Sequence, residues 1–272
     1  MLADRKLAIA QLYDRKKEDL NFILSKSDGL VHHHNGICDP GTYFPDNLSQ
    51  EEILGLLHQQ ETSLADFGIS YLNNIDSSML GLDAGCGRGG SAILINRRFN
   101  CFIKGLSLSE YQVEFASELV KRIGIDRKVS FELGDMCDTK FKDNSIDFIW
   151  ACESTEHVDD LSKMFGEFHR ITKPGSQLII ITWCKGTGES TEGIIGKVNQ
   201  AYVTNVHPVQ EYEQSARDSN WQLENKVDLR PQTAAYWRLR ERSVVQSGTE
   251  PFMSKGFTSG IIEYYLLKFN RG

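Results

Sequence analysis

From about Met79 onward the chain alternates short apolar runs with amphipathic stretches. MLGLD, CFIKGLSL, VSFELGD, SIDFIWACES and SQLIIITW read as five strands, because each is a brief β-branched or aromatic run bounded by turn-formers. Between them SAILINRRF, SEYQVEFASELVKRIG and LSKMFGEFHRI repeat their apolar positions at helical spacing. Strand and helix in strict alternation predict a doubly wound, Rossmann-like parallel α/β sheet. Beyond Trp183 the rhythm breaks. Residues 185–220 open with a glycine-rich loop and continue as helical, aromatic-bearing sequence, too long for an ordinary connection, and predict a helical lid insertion. KVDLRP and GIIEYYLLKF then predict two more strands with a helix over 232–245 between them, and so an antiparallel last strand at a hairpin-like edge.

Ahead of the first strand lie helical patterns over 2–24 and 50–72. The loop SDGLVHHHNGICDPGTYFPDN separates them, rich in turn-formers, histidine and aromatics. A loop in that position can reach the carboxyl ends of the strands, where such sheets bind ligands. The expected organisation is therefore an N-terminal helical cap with a His/aromatic substrate loop over residues 1–75, followed by one α/β domain over 76–272.

Composition narrows the classes. The 272 residues are 40% hydrophobic, enough for one large core. A formal charge of -7 and the lack of a dense Lys/Arg stripe argue against a nucleic-acid partner. Six cysteines without a CxxC pair signal neither a zinc cage nor a disulfide framework. Residues 1–17 are charged throughout, unlike a signal peptide, and no run of ~18 apolar residues suggests a membrane span. A cytoplasmic location, reduced thiols and a homo-oligomeric state are the expectations.

The stretch DAGCGRGGS, residues 83–91, places Gly85, Gly87 and Gly90 in a GxGxxG pattern after the first strand, which brings dinucleotide binding to mind first. A dinucleotide site also needs an acid about 20 residues on, at the end of the second strand, for the ribose. Leu106 and Ser107 stand there instead. What the chain offers is Asp83 within the turn and the pair Gly134 and Asp135 after the third strand, a combination similar to S-adenosylmethionine enzymes. The chemistry fits that donor, whose methionine end carries an ammonium and a carboxylate. Glycine backbone at 85 and 87 approaches closely because no Cβ intervenes. Asp83 can accept from the ammonium directly or through water, and Asp135 from the adenine amine with Met136 against the ring.

In GLSLSEYQ, residues 105–112, Ser109 and Gln112 fit a capping box and could equally meet ribose hydroxyls. DAGCGRGG followed by GLSLSEYQ resembles the methyltransferases that attack carbon–carbon double bonds. DGLVHHHNGI, ESTEHV, NQAYVTNVHPVQEY and AYWRLRERS further resemble the geranyl diphosphate C-methyltransferases and their prenyl-diphosphate relatives, over nearly the whole chain. Two departures stand out. Tyr202 falls where the family's string has phenylalanine, and STEHV replaces a string without the acid and histidine. The resemblance implies S-adenosylmethionine as cofactor, with Leu108 beside it, an isoprenoid substrate and Mg²⁺ if that substrate carries a diphosphate. Transfer to a prenylated natural product, as in teleocidin-type methyltransferase-cyclases, is one alternative. N- or O-methylation of a small metabolite is another.

Methylating an alkene leaves a tertiary carbocation that water would quench, so the chamber must be dry and rich in ring faces. Phe22, Tyr43, Phe44, Trp183, Tyr202, Tyr236 and Trp237 are the candidates. Glu153, at the end of the fourth strand, could take the final proton, with His157 as a second base. The three consecutive histidines 32–34 alternate sides on an extended segment, so at most two converge, and no third zinc ligand is spaced for them. Diphosphate recognition is preferred, with His33, Asn35, Tyr43 and Arg238 or Arg240 as donors and Glu61 as a carboxylate for Mg²⁺. Tyr13 is expected to close over the methionine carboxylate.

Overall fold

The computed structural model describes residues 2–186 and 191–272. Helix α1 (Leu2–Arg15) is followed by the short α2 (Leu20–Leu24), rather than by one helix through residue 24. The break has a local cause: Asp19 takes the N-cap position and its carboxylate accepts from the Phe22 amide, which restarts the helix. Next comes α3 (Gln50–Ile69), opened by a capping box in which Ser49 and Glu52 bond each other's backbone. The doubly wound region runs β1 (Leu80–Ala84), α4 (Gly90–Phe99), β2 (Phe102–Ser107), α5 (Glu110–Arg122) and β3 (Val129–Leu133). It continues through β4 (Ile146–Cys152), α6 (Leu161–Ile171), β5 (Thr172–Lys185), α7 (Thr191–Tyr202) and α8 (Val209–Asp218). β6 (Trp221–Asp228), α9 (Arg230–Arg240), α10 (Glu250–Ser259) and β7 (Ile262–Arg271) complete it.

Among the described residues these strands form a seven-stranded sheet in the order β3-β2-β1-β4-β5-β7-β6. The first five are parallel, and β7 runs antiparallel between β5 and β6. This is the expected doubly wound sheet with an antiparallel last strand. Alternate residues of β4 face opposite layers: Phe148 and Trp150 join the core under α3 and α9, while Ile149 and Ala151 join the core under α6 and α8.

Three boundaries differ from expectation. α3 is part of the main core rather than of a separate cap: a Cβ on its Gly68 would come within 2.5 Å of the Trp150 ring. Its amphipathic pattern needed a partner, and the sheet supplies one. Within 185–220, α8 packs on α6 and β6 and buries Val209, Tyr212 and Ala216, so it is an ordinary layer helix and only α7 with the following loop stands over the site. Residues 187–190 of that stretch lie outside the described residues. Finally, α10 was not expected. Pro251 in its first turn and a left-handed Gly260 at its end punctuate a weakly patterned segment.

Candidate active site

The carboxyl ends of β1, β2, β3 and β4 converge on one pocket. Gly85 follows β1 with φ +84°, and the Gly85 and Cys86 amides both donate to the Leu106 carbonyl at 3.0 and 2.8 Å, which folds the turn sharply. A Cβ at Gly85 would lie 2.3 Å from that of Ser154, so only glycine fits. Gly85, Gly87, Leu108, Ser109, Gln112, Asp135 and Met136 all line this pocket, and Tyr13 lines it from α1.

Asp83 is placed differently. It is fully buried in a small neighbouring cavity behind the turn, lined also by His32, His33, His34 and Cys86. One of its carboxylate oxygens has no partner, and burial pushes its pKa up to about 7. Gly85, Gly87, His33 and Cys152 line both spaces, so the cavity that holds Asp83 adjoins the pocket, which Asp83 itself does not line. The Ser109 hydroxyl donates to Asp14 at 2.6 Å and accepts from the Gln112 amide, so it is engaged on both sides and its role is capping. Gln112 accepts from Ser107 at 2.7 Å, which leaves its NH₂ as the group it can offer a ligand. Asp135 is ion-paired with Lys6 of α1 and accepts from the Cys137 amide.

A second, larger cavity of about 430 Å³ adjoins the first. Tyr13, His33, Glu153 and His157 line both, and so form the wall between them. Trp183, Tyr202, Tyr236 and Trp237 line the larger cavity, with Trp183 and Tyr202 edge-to-face at 5.2 Å. Glu153 is held in the left-handed region at φ +46°, which costs a non-glycine residue ~1–3 kcal/mol. Its Oε1 accepts from the Asn35 amide at 2.6 Å and the Tyr264 hydroxyl at 2.5 Å. Burial, followed by the neighbouring Glu156, raises its pKa well above the usual carboxylate range, which favours its protonated form. His157 donates from Nδ1 to the Val203 carbonyl at 3.1 Å, which makes Nε2 the acceptor for the Tyr13 hydroxyl at 2.9 Å. Burial pushes its pKa down to about 4, so the ring is neutral.

Several expected contacts fail. Phe22 packs edge-on against Phe115 and does not line the cavity, because α2 turns that side chain toward α5. Tyr43 is 76% exposed and, with Phe44, lines a separate surface groove beside Arg238 and Arg242. The turn-formers around them carry the loop outward. Glu61 is wholly buried and accepts from the Tyr236 hydroxyl at 2.9 Å, so that ring stands between it and the cavity; burial raises its pKa to about 8. A neutral carboxyl behind a ring is not a cation ligand. His33 lines the cavity, but one ring nitrogen accepts from Arg88 at 2.9 Å and the other meets Asn21 at 3.0 Å, which leaves neither for a phosphate. Arg240 lines it with its guanidinium paired to buried Glu250 at 2.7 Å. His32 and His34 do converge, at 4.9 Å between rings, and His58 of α3 joins them at 5.6 Å. Among the described residues no group of three side chains is arranged to hold a metal.

The structure adds groups that pattern reading missed. Arg88, inside the glycine turn itself, is wholly buried and ties His33 to the Lys16 and Lys17 carbonyls and to Asp19. The Lys16 ammonium stands over the rings of Tyr13 and Tyr202 at 5.0 and 5.4 Å, at the larger cavity. Glu156 is 1% exposed and lines that cavity alone.

The comparisons with known proteins agree with this geometry. Residues 82–180 match the family described as a methyltransferase domain. A geranyl diphosphate 2-C-methyltransferase of Saccharopolyspora erythraea is 33% identical, over 97% of this chain and 94% of its own. That of Streptomyces lasalocidi is 30% identical, over 97% and 89%. A crystal structure of geranyl diphosphate C-methyltransferase from Streptomyces coelicolor, with Mg²⁺, a geranyl thiolodiphosphate and S-adenosyl-L-homocysteine, superposes with a TM-score of 0.93 at 29% identity and 98% coverage of both chains. Fold and site thus define an S-adenosylmethionine-dependent methyltransferase of the Rossmann-like class. Within that class the chain belongs to the geranyl diphosphate C-methyltransferase family.

Proposed function

We propose that the protein transfers the methyl group of S-adenosylmethionine to a carbon–carbon double bond of a prenyl diphosphate. The observation that carries this reading is the wall shared by the two cavities. A donor lying along the glycine turn would present its sulfonium methyl at Tyr13, His33, Glu153 and His157, and beyond that wall lies a cavity lined by four indole and phenol rings. Those faces stabilise a tertiary cation without offering it an accessible nucleophile. Solved relatives carrying geranyl diphosphate or its thiolo analogue support the substrate class. Magnesium enters as the counter-ion of the diphosphate, with phosphate oxygens and water as its main ligands. Lys16 and Asn35, which both line the larger cavity, are proposed to meet that diphosphate.

Glu153 is the proposed base. Burial favours its neutral form, and a sulfonium cation beside it favours the carboxylate, because a nearby positive charge stabilises the ionised group. Binding of S-adenosylmethionine near neutral pH should therefore release more protons than binding of S-adenosylhomocysteine, which has the same amino-acid end but a neutral sulfur. Calorimetry in buffers of different ionisation enthalpy reads this difference. Equal proton release for both ligands would remove Glu153 from the neighbourhood of the sulfonium.

Asp83, in the small cavity that adjoins the pocket, is proposed to meet the donor ammonium through water. Asp83→Asn should weaken donor binding by about tenfold, the value of one charge-assisted hydrogen bond. Isothermal titration checks it, and an unchanged constant contradicts the assignment. The reaction itself is tested by incubating the protein with S-adenosylmethionine, Mg²⁺ and C5, C10 and C15 prenyl diphosphates, then weighing the dephosphorylated products. A gain of one CH₂ unit is expected, and no gain with any chain length overturns the reading.

A further inference from the structure

One wall of the larger cavity is tied together by a chain of hydroxyl groups. Tyr202 ends α7, and its hydroxyl meets Thr249 Oγ1 at 2.7 Å. Thr249 Oγ1 meets Ser247 Oγ at 2.7 Å, and Ser247 Oγ meets Glu250 Oε1 at 2.9 Å. Glu250 also accepts from the Ser247 and Gly248 amides and from the Arg240 guanidinium, with which it forms an ion pair buried on both sides. Thr249 holds the N-cap position of α10, yet its side chain makes no capping bond. A threonine there ordinarily gives its hydroxyl oxygen to the free amides of the first helical turn. This one is committed to Tyr202 and Ser247 instead.

The direction of the chain follows from its end. Burial pushes the Glu250 carboxyl up, but backbone amides, Arg240 and the Ser247 hydroxyl outweigh it and hold its pKa below the usual carboxylate range, so Glu250 only accepts. Ser247 has one hydroxyl proton and gives it to Glu250. Thr249 then donates to Ser247, and Tyr202 donates to Thr249. Thr249 lines neither cavity, whereas Tyr202 lines the larger, so the phenol oxygen is tied to a residue outside that space. The other end of the side chain is held as well: Val203 follows in the left-handed region at φ +55°, rare for a β-branched residue, and its carbonyl accepts from His157 at 3.1 Å. The ring stands edge-to-face with Trp183 at 5.2 Å, and the Lys16 ammonium lies over it at 5.4 Å, so it already receives a positive charge. A ring face stabilises a cation without reacting with it. A phenol oxygen turned toward a carbocation instead forms a C–O bond with it and gives up its proton.

We propose that Thr249 is a positioning residue that holds the Tyr202 oxygen away from the cavity, so that the ring presents its face to the carbocation formed on methyl transfer. Ser247 and the Arg240–Glu250 pair fix Thr249 in turn, and through it one end of α10 is coupled to the end of α7. The assignment rests on the prenyl-diphosphate reading above.

The test is a double-mutant cycle run with S-adenosylmethionine, Mg²⁺ and geranyl diphosphate, in which kcat and both KM values are read from methylated product. Thr249→Val keeps the shape of the side chain and removes no capping bond, but it leaves the buried phenol without its acceptor, and kcat should fall by about tenfold or more. Both KM values should stay within about twofold, because Thr249 lines neither cavity. With phenylalanine at 202 there is no hydroxyl to hold. Thr249→Val made in Tyr202→Phe should then change kcat by less than about twofold, since removing both partners of a buried hydrogen bond is nearly neutral. Thr249→Ser, which keeps the hydroxyl, should recover the activity that Thr249→Val loses. Affinity for S-adenosylhomocysteine reports on folding, and should Thr249→Val lose it, Thr249→Ala takes its place in the same cycle. A kcat unmoved by the loss of the Thr249 hydroxyl overturns the proposal, as does an equal loss in the Tyr202→Phe background, which would make Thr249 a support of α10 alone; both results leave C-methylation intact. Absence of any methylated product from the wild type overturns the prenyl-diphosphate reading and this one with it.

Discussion

Replacing Glu153 by glutamine is expected to lower turnover by ~10²-fold or more. The amide oxygen can still accept from the Asn35 backbone and the Tyr264 hydroxyl, which approach at 2.6 and 2.5 Å. The strained backbone at φ +46° is therefore kept, and what disappears is the basic oxygen. Affinity for S-adenosylhomocysteine, whose neutral sulfur presents no positive charge to the carboxylate, should stay within about threefold, since Glu153 is only one of the residues around that pocket. The extra proton release on binding S-adenosylmethionine should vanish in the same variant. Steady-state rates and titration together check both statements. Unchanged turnover would assign proton abstraction elsewhere, with Glu156 the next carboxyl in the cavity.

The second large effect belongs to Arg88. Its guanidinium bonds His33, the carbonyls of Lys16 and Lys17 and the carboxylate of Asp19, and lies over the rings of Tyr111 and Phe115 at 5.8 and 5.6 Å. Arg88→Met keeps the stem's packing but leaves an ionised Asp19, a histidine nitrogen and two carbonyls without their donor. Removing one partner of a buried ion pair costs about 3–5 kcal/mol, and because Asp19 is 19% exposed the low end applies. At ~2–4 °C per kcal/mol for a chain of this size, the melting temperature should fall by ~6–12 °C. The same bonds hold the end of α1, so the Michaelis constant for the donor should rise as Tyr13 loses its fixed place. Scanning calorimetry gives the first value, and a shift under ~2 °C would contradict the account.

Much of the fold was legible because the strands of a buried parallel sheet read as continuous apolar runs and their helices carry one apolar stripe. β1 to β5 and α4 to α6 fall where those signals lie. α10 was not legible: its boundaries are set by Pro251 and Gly260, single residues that also occur in loops. α3 was legible as a helix but not as part of the core, since periodicity says which face is buried and not against what. Its Gly68 beside Trp150 is a contact of tertiary structure alone.

The cofactor turn was legible for a different reason. Its chemistry is local, and Gly85, Gly87, Gln112 and Asp135 reach one pocket because consecutive strands deliver them there. Substrate residues come from segments far apart in the chain, and there the reading divided. Asn35, Trp183, Tyr202, Tyr236 and Arg240 line the cavity, while Phe22, Tyr43 and Phe44 do not. All are aromatic or polar residues in the same kinds of segment, so no pattern separates them. Arg88 was hidden in plain view, as the variable position of a glycine motif. Its partner His33 was read as a ligand group because the sequence does not show which nitrogens are already engaged.

The central claim is that a carbon of an isoprenoid receives the donor's methyl. It is tested most directly with S-adenosylmethionine bearing a trideuterated methyl group, geranyl diphosphate and Mg²⁺, followed by phosphatase treatment and NMR of the purified product. A CD₃ group attached to a former alkene carbon is the expected result. A CD₃ group on oxygen or nitrogen, or unmodified geraniol beside an intact donor, would contradict it.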